Sequence, residues 1–223
     1  EKYINFLKNI PHDFIKEHHK VKILNKTEDI KLVEQDISKK YVEKGWDPKW
    51  AEVGLHYEDP YMQLFRDALE FEKGRNVIHH RIEWKSGVIS GVVMLPRYKN
   101  KYVLVKHYRH PIIQSSLECP RGGTLAGKDI DLTIKQELSE EIGASTSSYT
   151  KLGYVLPTNN LINAGINLYL VEINTLGKPE KNEGIQEIHL LTSSELQNKI
   201  KDDYITDAST ICAFTQAKLK GLI

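Results

Sequence analysis

The chain has 223 residues, 40% hydrophobic and 27% charged, enough to bury a core in one medium domain or in one domain with an N-terminal elaboration. Its 31 Lys and Arg against 30 Asp and Glu leave a formal net charge of +1, so no basic excess exists to neutralise a nucleic-acid backbone, although a small anion needs only a few cations. Apolar runs such as residues 87–95 fall far short of the roughly 20 residues of a membrane helix. The first residues carry no signal-peptide pattern, and Cys119 and Cys212 have neither disulfide-framework nor zinc-site spacing, so a cytoplasmic protein is expected.

Ile30, Val33, Ile37 and Tyr41 recur at helical spacing and predict an amphipathic helix from Thr27 to Lys44, ended by Gly45. Trp46 and Trp50, four residues apart, fit either a platform that stacks on a nucleobase or packing within a core or subunit contact. A strand meander begins near Phe65 and continues through Val77–Trp84, Val88–Leu95 and Tyr102–Tyr108, with turns at Lys73-Gly74 and Lys99-Asn100. A glycine-rich loop over 120–127 leads to a helix from about Asp129 to Ile142, with Asp129 as N-cap and Gly143 as the left-handed C-terminal residue. Strands over 151–155, 167–173 and 186–190 follow, then helices near 193–200 and 208–219. The pairs His18-His19 and His79-His80 have no acid or cysteine at ligand spacing, so they read as surface or strand histidines. This is an α+β pattern with one central helix.

That helix carries the chemistry. Glu137, Glu140 and Glu141 sit at offsets of three and four, within a sector roughly 100° wide, beside an apolar stripe of Ile134, Leu138 and Ile142. Spacing alone also fits a solvated acidic face. Three like charges on one turn repel, and a hard divalent cation is the natural compensation: magnesium takes oxygen ligands while retaining waters and substrate phosphates. The glycines before the helix would let backbone approach such a metal or a phosphate.

The stretch from Leu117 to Ala144 resembles the Nudix box, with Gly122, Glu137, Leu138, Glu140, Glu141 and Gly143 at their expected places. Residues 106–111 (Lys-His-Tyr-Arg-His-Pro), 117–123 (Leu-Glu-Cys-Pro-Arg-Gly-Gly) and 207–211 (Asp-Ala-Ser-Thr-Ile) resemble segments of the ADP-ribose pyrophosphatase branch. The resemblance covers about residues 70–220. It implies an α/β/α sandwich with a mixed sheet, a Nudix domain over 67–223, and an N-terminal helical and strand extension over 1–66 serving assembly or substrate cover. It further implies a homodimer and hydrolysis of a nucleoside diphosphate-linked compound, ADP-ribose or another nucleotide-sugar, at the diphosphate with Mg2+ or Mn2+. The metal ligands carried over are Glu137, Glu140, Glu141 and the main-chain carbonyl of Arg121. Arg109 takes the place of an arginine that contacts substrate, and Glu118 that of a loop acid near metal or substrate. A turn-stabilising carboxylate is the other reading of Glu118.

Two box positions depart from the pattern: Lys128 replaces a glutamate and Gln136 an arginine. The arginine would hold a ligating glutamate through a charge-assisted bond roughly twice as strong as a neutral one, whereas Gln136 donates more weakly. Lys128 opposes the helix dipole and is assigned either to a substrate phosphate or to solvent. Downstream, Pro157-Thr158-Asn159-Asn160 and Ala164 replace the branch's loop and acid, and Glu183 and Glu187 are the candidates for general base. These departures keep a second expectation open: a catalytically weak or inactive Nudix-fold protein that binds or senses a nucleotide-sugar-like ligand.

Overall fold

A computed structural model describes residues 2–8, 21–85, 88–125, 127, 129–181 and 183–223. By contacts the chain divides into two compact units: residues 1–86 with 160–163, and residues 87–159 with 164–223. The expected boundary at 66/67 falls inside a strand, Met62–Phe71, and the first unit runs on to Ser86. Among the described residues, no helix is long and apolar enough to cross a membrane.

The first unit contains α1 (Lys2–Lys8), β1 (Val21–Ile23), α2 (Thr27–Glu43), β2 (Gly54–Glu58), β3 (Met62–Phe71) and β4 (Arg75–Trp84). Strand β3 is the centre of an antiparallel sheet. It pairs with β4 along its whole length and with β2 and β1 in turn on its other side. Helix α2 buries Ile30, Val33 and Ile37 as their spacing predicts, against a cluster that includes Tyr3, Leu7, Phe65 and Ala68. The helix stops where Gly45 takes φ +73°, a left-handed conformation that glycine adopts without steric cost. Residues 160–163 join this unit through a 2.8 Å bond from the Ile82 N–H to the Leu161 carbonyl. They belong to the loop whose sequence departs from the ADP-ribose pyrophosphatase pattern.

The second unit contains β5 (Val88–Tyr98), β6 (Lys101–Arg109), β7 (Gln114–Glu118), β8 (Arg121–Leu125), α3 (Ile130–Ile142), β9 (Thr146–Val155), β10 (Gly165–Ile173), β11 (Ile185–Leu191), α4 (Ser193–Lys201) and α5 (Ala208–Leu219). Its seven strands form a mixed sheet of order β11-β6-β5-β10-β9, with β10 parallel to β5. Both faces are covered, which explains why these strands read as continuous apolar runs. Alternate residues Val92, Met94, Val103, Val105 and Val171 pack on Ile134, Leu138 and Ile142 of α3. The intervening Val93, Leu95, Leu104, Leu168 and Leu170 pack on Leu196 of α4 and on Ala213 and Phe214 of α5. The result is the expected α/β/α sandwich.

One departure positions the site. Residues 121–125, expected within a loop, are strand β8. Strands β5 and β6 pair only at their hairpin, Arg97 with Tyr102 and Tyr98 with Lys101, and then diverge. Strand β7 pairs with β6 and β8 with β5, so Glu118 to Gly122 crosses the fork, fixed by a 2.9 Å bond from the Met94 N–H to the Pro120 carbonyl. Glycines suggested a loop, but the open backbone edge of β5 pairs them into the sheet.

Helix α3 depends on its buried stripe, so Leu138→Ala, at a fully buried position, should cost about 2–5 kcal/mol. Leu132→Ala on the exposed face should cost less than about 0.5 kcal/mol. Urea denaturation of both variants checks the contrast, and equal losses would refute this packing.

Candidate active site

Asp129 accepts from the Asp131 N–H at 3.0 Å and caps α3, and Gly143 ends it at φ +60°. Within these limits Glu137 and Glu141, one turn apart, face β8. The Glu141 carboxylate accepts the Arg121 N–H at 3.1 Å and is 3% exposed. Glu137 lies over the Gly122 Cα so closely that a Cβ there would stand 2.0 Å from the Glu137 Cδ. Gly122 is therefore required for close approach, not for an unusual φ. Burial, reinforced by the neighbouring Glu137, pushes the Glu141 carboxyl up to about 8 against the lowering effect of the Arg121 N–H.

Glu140 turns elsewhere. Its carboxylate accepts the Gln136 side-chain amide at 2.8 Å, so the residue in the box-arginine position still serves one of the three acids. Among the described residues, no group of three or more His, Cys, Asp or Glu side chains gathers as a metal-holding set. The structure thus brings Glu137 and Glu141 together on β8 and ties Glu140 to its own helix.

From β8 runs a chain of paired charges, partly exposed at its ends, with Glu118 buried at its centre. Glu118, 2% exposed, accepts from the Arg109 Nε at 2.8 Å and again from its Nη2, and the Arg121 Nε stands 3.5 Å away. Arg121 reaches on to Asp207 at 2.6 Å. Asp207 caps α5 by accepting the Thr210 N–H at 2.8 Å and its hydroxyl at 2.7 Å, and the Thr210 hydroxyl accepts the Cys119 N–H at 2.8 Å. Burial opposes ionisation of Asp207, but Arg121 and Thr210 outweigh it and hold its carboxyl below the ordinary value. His107 places Nδ1 3.9 Å from Glu118; burial, with Arg109 alongside, lowers its pKa and favours the neutral ring. Burial pushes the Cys119 thiol up to about 12, which makes it a poor nucleophile. An open cleft of about 320 Å3 is lined by Arg109, Glu118, Arg121, Thr206 and Asp207 among others.

The two base candidates separate. Glu187 on β11 accepts from Lys106 at 3.2 Å, a bond that lowers its pKa, and it lies 3.1 Å from His189. Glu183 sits in a turn, its N–H donating to the Glu180 carbonyl at 3.3 Å, and the following Gly184 abuts the His107 ring. Lys128 lies outside the described residues. The Arg121 and Asp207 side chains were not foreseen as partners. The sequence signals are the resemblance of residues 207–211 to a branch segment and the spacing of Asp207 and Thr210, which fits an N-cap.

No family model matches the chain. A methanol dehydrogenase activator from Bacillus methanolicus is 30% identical over 127 residues, covering 55% of this chain and 68% of that protein. Together with the box positions gathered between α3 and β8, that extent of identity decides the family. The chain belongs to the Nudix superfamily. Its fold is similar to the crystal structure of an ADP compounds hydrolase, with a TM-score of 0.66 and 16% identity over 77% of this chain and 93% of that one. In this Nudix protein, the box helix, the strand it packs on and the C-terminal cap form one connected cluster.

Asp207→Ala would remove the α5 cap and one partner of the part-buried Arg121 guanidinium, with an expected loss of about 2–4 kcal/mol. A chemical-denaturation midpoint indistinguishable from the parent would show that the cluster does not support the fold.

Proposed function

We propose that this Nudix protein hydrolyses the diphosphate bond of a nucleoside diphosphate-linked compound, ADP-ribose or another nucleotide-sugar, with Mg2+ or Mn2+ bound. The observation that carries the proposal is the pair Glu137 and Glu141, with a desolvated carboxylate and a second acid pressed against a glycine strand. Two hard oxygen donors in that setting fit a divalent ion that completes its shell with waters and substrate phosphate. Glu137, Glu141 and the Arg121 main-chain carbonyl would hold it, and Glu140 would support the pair from the same turn. When bound, the ion would neutralise diphosphate charge and acidify a water.

The chain's own groups do the rest. Arg109, at the cleft, pairs with the diphosphate, and Glu118 fixes the direction of its guanidinium. Glu183 is favoured over Glu187 as the proton acceptor, because Glu187 is engaged by Lys106 and His189. Lys128 is assigned to a substrate phosphate. Most of the rate in this kind of chemistry comes from positioning and charge stabilisation. We further assign the protein to the cytoplasm as a homodimer, with residues 1–66 serving assembly or substrate cover.

A second reading has its own support. Gln136 meets Glu140 with a neutral donor where the box has a charged one, and the Bacillus methanolicus relative is named as an activator of another enzyme. In that reading the same pocket binds a nucleotide-sugar-like ligand without turning it over.

Purified protein with Mg2+ or Mn2+ should split ADP-ribose or another nucleotide-sugar into two phosphorylated halves, followed by phosphorus NMR. Glu141→Gln should lower the rate about 100-fold or more. Calorimetric binding of ADP-ribose or of another nucleotide-sugar, with no product from either, would instead establish the binding protein.

Gly122→Ala tests the geometry. Its Cβ displaces only the end of Glu137, so stability should fall by less than about 1 kcal/mol. Mn2+ affinity, followed by electron paramagnetic resonance, should drop about tenfold or more, since 1.4 kcal/mol of lost ligation is a factor of ten. Unchanged affinity would detach Glu137 from the metal.

A further inference from the structure

The first unit holds a cavity that the proposed hydrolysis does not use. About 230 Å3 in volume, it is lined by Tyr41, Trp46, Trp50, Arg66 and His80. Tyr41 and Trp46 stand with ring centroids 5.4 Å apart and planes at 55°; Trp46 and Trp50 stand 6.4 Å apart at 47°. The three rings form a corner. Trp46 is 47% and Trp50 51% exposed, so neither indole is part of the core of this unit. Two adjacent half-exposed tryptophans leave apolar area in water that a ligand would cover.

The backbone fixes this corner. Asp47 accepts the Lys49 N–H at 2.9 Å and caps the short turn Pro48–Ala51 that carries Trp50. The Arg66 Nη1 donates to the Lys49 and Trp50 carbonyls at 3.3 and 3.1 Å, which pins its guanidinium beside the Trp50 backbone. The Arg66 Nε is buried with no hydrogen-bond partner among the described residues. Burial and Arg66 both lower the pKa of His80, so its neutral ring offers one donor and one acceptor.

Size and charge select the occupant. Drug-sized ligands need roughly 300–1,000 Å3, so this cavity suits one ring system and not a dinucleotide. Arg66 on the wall disfavours a cationic guest, although the aromatic corner alone would accept one. A planar face for the indoles, acceptor atoms on its edge and a negative group for Arg66 fit together. We propose that the cavity is a second binding site, for one planar heteroaromatic ring that carries an anionic group, such as a nucleoside monophosphate. The site does not depend on the hydrolase reading: all five residues lie in the first unit.

The full chain in EDTA, carrying Glu141→Gln to suppress metal-dependent binding at the carboxylate pair, is titrated with AMP while tryptophan fluorescence is followed. Saturable quenching is expected, retained in Trp84→Phe and weakened at least about 5-fold in Trp50→Ala, since stacking of one base on an aromatic ring is worth about 1–3 kcal/mol. Arg66→Gln should weaken AMP more than adenosine. Circular dichroism confirms that each variant is folded. Equal binding of ribose 5-phosphate, quenching that follows Trp84 or no quenching at all would overturn the proposal. So would a change of mass in solution on Trp50→Ala without AMP binding, which would make the aromatic face a contact between copies.

Discussion

Everything at the carboxylate end of the Nudix unit follows from how closely α3 approaches β8. At Gly122 the separation leaves no room for a Cβ, and the Glu137 carboxylate occupies that space. The same approach brings the Arg121 N–H to Glu141 and takes that carboxylate almost wholly out of water. A desolvated acid beside another acid is an unstable arrangement by itself, and one N–H does not offset it. The helix is kept there by Ile134, Leu138 and Ile142, all fully buried against the sheet. Apolar packing on one side of α3 thus holds an electrostatic tension on the adjoining side.

Arg109 and Arg121 lower the Glu141 pKa, but less than burial raises it, and both are also paired elsewhere. Arg109 and Arg121 are matched by Glu118 and Asp207, two guanidiniums against two carboxylates. This balanced chain ties the end of β6 to β7, β8 and the start of α5. Breaking a partly buried charge chain costs far more than its net contribution suggests, since each removed partner strands another.

Local signals in the sequence reached most of this architecture. The α3 limits, the Gly45 stop and the alternating strands of the sandwich all follow from periodicity and capping, which act over a few residues. Strand β8 escaped because its pairing is set by the diverging edge of β5, about 30 residues earlier in the chain, and glycine outweighs that signal locally. The acids of α3 were legible as a cluster, but not their division. Glu140 goes to Gln136 because an i,i+4 partner was at hand, and no spacing rule ranks that bond against a shared metal. The Arg121–Asp207 link spans 86 residues and left only a cap signature at one end. The first unit's reach to residue 86, and its capture of residues 160–163, depend on sheet pairing that composition does not encode.

Hydrolysis and binding without turnover, the two readings proposed for this chain, impose unequal demands on one pocket. Binding a diphosphate asks mainly for cations and a shaped cleft, and small displacements of a carboxylate barely alter either. Turnover asks for reacting atoms held to within a fraction of an ångström, so a loosened support is felt in rate before affinity. Gln136 meets Glu140, while Glu137 lies against Gly122 and Glu141 accepts the Arg121 N–H. A box altered in this way moves along the line from enzyme to binding protein by losing rate first. The fold itself is set by buried apolar faces away from these positions, so such a change leaves it intact.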